Sequence, residues 1–131
     1  MKYFIAQEFI PPDIYRLIGD LSIKLMDPRI LETADAIRER YGPTTINNWH
    51  SHGSRQWSGL RIEGCSYGTA KSQHRFGKAI DCLVSGMTAE EIRQDILKNP
   101  LWFPHIRGIE LGVSWLHVDC RDGDHHIAFR S

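Results

Sequence analysis

Apolar positions fall at helical spacing in the first third of the chain and at strand-like spacing in the last half, with an unpatterned stretch between. Ile14, Leu17, Ile18 and Leu21 predict a helix over residues 14–26 in spite of Gly19, following an extended opening piece that ends at Pro11-Pro12-Asp13. Asp27-Pro28 reads as an N-cap with proline at the first helical position, where its missing amide costs nothing. A second helix follows with Ile30, Leu31, Ala34, Ile37 and Tyr41 on one face, stopped by Gly42-Pro43. Residues 44–49 are a short β-prone run. Residues 50–71 carry Ser, Gly, His and Arg with no period, and a loop of that length in a compact domain is usually functional.

Residues 79–84 then read as a strand, and Ser85-Gly86 as a turn. Thr88 with Glu91 forms a capping box for a third helix reaching about Asn99, apolar at Ile92, Ile96 and Leu97. Residues 106–111, 115–120 and 126–129 predict three more strands, and Arg121-Asp122-Gly123-Asp124 between the last two is a hairpin signal. Helices followed by strands imply an α+β domain with a small antiparallel sheet.

At 131 residues the chain fits one domain, with residues 1–43 as a helical scaffold and 44–131 as the core that carries the chemistry. Sixteen basic residues balance sixteen acidic ones, so the electrostatic footprint of a nucleic-acid or membrane-surface binder is missing, and neither partner is expected. Gln7 and Glu8 interrupt any apolar leader, and no run approaches the ~18 apolar residues of a membrane span, which predicts a chain made in the cytoplasm. Cys65, Cys82 and Cys120 make no C-x-x-C pair and are expected as small buried hydrophobes in a reducing compartment.

Seven histidines are many for this length and direct attention to metal binding. His74 and Asp81 lie seven residues apart, the second on the strand over 79–84, and His117 and Asp119 share one face of the strand over 115–120 because side chains alternate there. If those strands are neighbours, Asp81 and His117 converge, with His74 arriving from the adjoining loop. Two His and one Asp make an open zinc site, whose fourth position is left to water. Asp119 then suits the oxygen that accepts the far ring N–H of a ligating histidine rather than a fourth ligand, the other role its position allows. Spacing alone leaves the alternative open that each histidine is a hydrogen-bonded core residue. His50 and His52 form an H-x-H pair that could clamp a metal, but their glycine-rich loop better suits substrate contact or plain exposure, and the neighbours His125 and His126 face opposite ways on a strand and cannot easily grip one ion. Trp49, Trp57 and Phe76 are candidates for cleft walls or for core packing.

The run Ser72-Gln73-His74-Arg75-Phe76-Gly77-Lys78-Ala79-Ile80-Asp81 resembles the S-x-H-x-x-G-x-A-x-D signature of the zinc D-alanyl-D-alanine carboxypeptidase and L-alanyl-D-glutamate endopeptidase family, whose fold is shared with the Hedgehog signalling domain. Trp115-Leu116-His117-Val118-Asp119 is similar to the H-x-D element of its phage-type branch, and Ser58-Gly59-Leu60-Arg61 to its S-G-x-R piece. The resemblance covers roughly residues 44–120. It implies a sheet with helices packed on one side, one zinc per chain on His74, Asp81 and His117, and Arg61 as the guanidinium that holds a substrate carboxylate or the developing oxyanion. It also implies Ser72 as a hydroxyl beside the ligands.

The family's base departs from this chain, because the endopeptidase branch has an Asp where Ser114 stands. Glu110 is the only carboxylate between residues 100 and 117 and is the expected general base, with Asp119 in reserve. The resemblance further implies a monomeric hydrolase of peptidoglycan stem peptides, either carboxypeptidase or endopeptidase. A phage lysis or virion-associated role goes with it, the protein reaching the cell wall through another component. The alternative is a zinc-stabilised structural or binding module without catalysis, for example a phage tail component.

Overall fold

In the computed structural model the described residues are 1–68, 72–123 and 126–130. They form a mixed helix-and-sheet domain with helices α1 (Pro12–Ile18), α2 (Pro28–Tyr41) and α3 (Ala89–Lys98) and strands β1 (Thr44–Thr45), β2 (Ala79–Val84), β3 (Gly108–Glu110), β4 (Leu116–Asp119) and β5 (Ile127–Phe129). The sheet order is β1-β2-β4-β3-β5.

Two helices follow their local signals. The Asp27 side chain accepts the Arg29 amide at 2.9 Å at the start of α2, and Gly42, at φ 98°, ends it. Thr88 and Glu91 close the capping box of α3 reciprocally. Ile30, Ala34 and Ile37 of α2 and Ile92 and Ile96 of α3 are buried together with Ile80, Cys82, Leu116, Val118 and Ile109, so both helices lie on the same face of the sheet. Each fully buried isoleucine or leucine contributes about 1.5–3 kcal/mol. Alternation turns Asp81, His117 and Asp119 to the opposite face.

The first predicted helix is different. Gly19 takes φ 75°, and the chain passes from α1 into a 3-10 helix, Gly19–Leu25. The positions that spelled a core face, Leu17 and Leu21, are 81% and 64% exposed. The core is filled here by Phe4, Ala6, Phe9 and Ile10, from the piece expected to be merely extended. A periodic apolar stripe says only that a helix has two faces, and the left-handed turn at Gly19 decides that this one looks outward.

The sheet also departs from the expected antiparallel pattern. β3 and β4 form an antiparallel hairpin through Gly112 at φ 79°, and β2 pairs with the other edge of β4. With both edges of β4 taken, β5 pairs parallel with the outer edge of β3. The turn over 121–124 is therefore not a hairpin, and its Asp124, like the neighbouring His125, lies outside the described residues.

Candidate metal centre

Strand register builds the site. Asp81 of β2 stands directly opposite His117 of β4. Gly108 and Ile109 of β3 stand opposite Asp119 and Val118, so continuing the register one step sets Glu110 opposite His117, and Glu110 in turn pairs with Phe129 of β5. Asp81, His117, Glu110 and Phe129 thus form a row across four strands, on the face away from the helices.

His74 reaches this row from a 3-10 turn, Gln73–Phe76. The Ser72 hydroxyl accepts the His74 amide at 3.3 Å and caps that turn. Gly77, at φ 68°, sends the chain back into β2, and a Cβ there would overlap the Leu25 carbonyl. The Gly77 carbonyl in turn accepts the Asp27 amide at 2.9 Å, which ties the turn carrying His74 to the start of α2.

The ligand atoms of His74, Asp81 and His117 lie within 4.8 Å of one another, and the group can hold a metal ion. His74 Nε2 is 3.1 Å and His117 Nδ1 2.9 Å from Asp81 Oδ1, and the three residues are only 1%, 6% and 7% exposed for His74, His117 and Asp81. The second nitrogen of each histidine is held by an oxygen. His74 Nδ1 donates to the Gly59 carbonyl at 2.8 Å, so that Nε2 is the nitrogen turned to the site, and His117 Nε2 faces Asp119 Oδ2 at 2.9 Å. Gly59 is glycine because its backbone lies against the Phe9 carbonyl, where a Cβ would collide. Two imidazole nitrogens and one carboxylate oxygen around one point, each imidazole oriented through its far nitrogen, are the donor set of an open divalent site.

The electrostatics suit cation binding. Burial pushes the Asp81 carboxyl up, but the hydrogen bonds from His117 and His74 outweigh it and hold the group well below the usual carboxylate range. Burial likewise raises Asp119, and Arg121 and His117 bring it down to about 2. Burial disfavours a charged His117, yet Asp119 and Asp81 raise the imidazole of the metal-free protein to about 9.

A cleft of about 430 Å³ opens over the triad, walled by Tyr67, Trp115, Phe129, Arg61, Glu110 and Arg121. Glu110 is half-buried and lines it. Asp119 is fully buried, with one oxygen on His117 and both on Arg121. Arg61 is largely committed: Nη2 donates to Asp81 Oδ2 at 3.1 Å and Nε to the Trp57 carbonyl at 2.8 Å, leaving Nη1 without a partner among the described residues. Ser72 borders the cleft but acts first as the cap of the His74 turn. Ser114 lines a separate hollow against α3.

His50 and His52 are exposed in the loop, and His126 Nε2 sits 3.3 Å from the Phe103 carbonyl, so none of these joins the centre. Cys82 and Cys120 are buried as expected, and Cys65 is half-buried. Trp49 packs on Tyr15 and Phe76 is exposed, so neither walls the cleft, while Trp57 borders an adjoining hollow. Three residues of the site escaped sequence reasoning. Arg121 follows His117 and Asp119 in alternating step, a signal that was legible. Phe129 and Tyr67 carried no local signal, since one depends on the parallel pairing of β5 and the other lies on the long loop. Compared with protein-family profiles, with curated proteins and with solved structures, the chain has no match.

Proposed function

We propose that the protein is a zinc-dependent peptidase that hydrolyses peptidoglycan stem peptides, with a Hedgehog-type peptidase fold and one zinc per chain. The observation that carries this reading is the meeting of His74, Asp81 and His117 beneath an open cleft, with Glu110 on the next strand in the same row. The sequence signature around His74 and Asp81 supplies the substrate class. When bound, zinc polarises a peptide carbonyl and lowers the pKa of a water to ~7.

The chain's own residues do the rest. Glu110 accepts the proton of the attacking water and returns it to the leaving amine. The Nη1 edge of Arg61 faces the oxyanion that develops on the carbonyl, while Nη2 keeps Asp81 in place and Nε is anchored on the Trp57 carbonyl. Tyr67, Trp115 and Phe129 give the substrate an apolar wall and exclude water from its far side. Such an activity suits a phage-borne lysis or virion-associated protein delivered to the wall by another component.

The test is incubation of the purified, zinc-loaded protein with peptidoglycan and mass spectrometry of the fragments. Release of D-alanine or of cut stem peptides, abolished by chelation and restored by zinc, supports the peptidase. Bound metal with intact peptidoglycan would instead assign the chain to zinc-stabilised binding modules.

A further inference from the structure

His117 is held from behind by a carboxylate that is itself clamped. Asp119 Oδ1 accepts Arg121 Nε at 2.7 Å and the Arg121 amide at 3.3 Å, and Oδ2 accepts Arg121 Nη2 at 2.7 Å beside His117 Nε2 at 2.9 Å. The guanidinium lies 4.4 Å from the centroid of the Phe129 ring, and Phe129 meets the His117 ring at 5.7 Å and 88°. The imidazole is therefore fixed in its plane by a hydrogen bond and against rotation by an aromatic partner.

Across β3, the residue opposite Asp119 is Gly108. Its φ is outside the left-handed region, so the backbone there admits any L residue. A Cβ at Gly108 would nonetheless overlap both Asp119 oxygens and the Arg121 Nε. Nothing in the backbone conformation asks for glycine at this position, and the space occupied by the ion pair does.

We propose that Gly108, Asp119 and Arg121 form a brace that sets the metal affinity of the centre by holding His117 with Nε2 engaged and Nδ1 turned to the ion. Gly108 and Arg121 are positioning residues that hydrogen-bond to none of the three ligands. A bidentate guanidinium fixes the carboxylate plane where a point charge would not, so the arginine is specific to the task. The brace rests on the triad being a metal site and is independent of the peptidase reading.

Zinc affinity measured by chelator competition tests it, on the intact protein and on Arg121→Gln, Arg121→Lys and Gly108→Ala, each first shown by circular dichroism to be folded. Loss of an orienting partner behind a ligand typically weakens metal binding about 10- to 100-fold. Arg121→Gln and Gly108→Ala are expected in that range, with Arg121→Lys recovering part of the loss. Long-range nitrogen NMR of the His117 ring in the zinc-loaded proteins is expected to report Nε2 protonated in the parent and a mixture of orientations in Arg121→Gln. Parent-like affinity in a folded Arg121→Gln overturns the proposal whether or not Gly108→Ala folds. Parent-like affinity in a folded Gly108→Ala removes the glycine from the brace. A parent protein that takes up no zinc overturns the brace together with the site, a result distinct from bound zinc without peptide hydrolysis.

Discussion

Replacing Glu110 by glutamine separates catalysis from metal binding. The register sets residue 110 opposite His117, where paired backbones run about 4.5–5.5 Å apart, and Glu110 lines the cleft without being one of the three converging ligands. Glutamine has nearly the same shape, opens no cavity and can hydrogen-bond to a water, but it cannot take a proton. Zinc affinity should stay close to the parent's, since Glu110 is not one of the three residues whose ligand atoms converge. The rate should fall about 10²- to 10⁴-fold, equivalent to about 3–5 kcal/mol on the transition state. The loss should appear in kcat, with KM little changed, because the proton moves only as the carbonyl is attacked. The assay is release of peptide fragments from purified cell wall under saturating zinc, beside chelator competition on the same samples. Full activity in the zinc-loaded Glu110→Gln protein would refute the argument and send the base elsewhere. Asp119, the reserve candidate, has both oxygens engaged by Arg121 and His117 and would have to release one to act.

Asp81→Asn and His74→Ala should each abolish stoichiometric zinc binding, read by metal analysis after dialysis, with retention of one zinc per chain counting against the triad. In the metal-free protein His117, raised from an ordinary 6.5 to about 9, favours folding most below pH 6.5, and this contribution fades as pH rises through 9. Because an ion must displace that proton, metal affinity should climb roughly tenfold per pH unit from 7 towards 9, and a flat profile in chelator competition would contradict it. Gly77→Ala places a side chain at φ 68° against the Leu25 carbonyl and should cost about 1–3 kcal/mol or more in urea unfolding, while a parent-like midpoint would mean that the turn relaxes freely. Arg93, buried and donating to the carbonyls of Val113 and Trp115 at 3.0 and 3.1 Å, holds the β3–β4 turn, so Arg93→Ala should destabilise the fold by about 1–3 kcal/mol through the stranded carbonyls. Thermal or urea unfolding at parent level would show that the turn holds itself.

Much of the molecule follows from neighbours in sequence. Caps at Asp27 and Thr88, the stop at Gly42 and the alternation of Ile80-Asp81-Cys82 and Leu116-His117-Val118 act over a few residues, so the local chain suffices to read them. The pairing of His74 with Asp81 is also nearly local, since one turn and Gly77 separate them. What tertiary structure alone decided lies at long range. Leu17 and Leu21 carry the period of a helix, but Gly19 and the competing burial of Phe9 and Ile10 determine which side faces water. The last strand pairs parallel with β3 because both edges of β4 are already used, a fact about three strands at once that no stretch of sequence contains. The same holds for Glu110 beside His117 and for the space at Gly108 that admits the Asp119–Arg121 pair. Residue types and spacing determined which side chains were available for chemistry, and strand register decided which of them share a row, because a one-residue slip would turn every one of them to the other face.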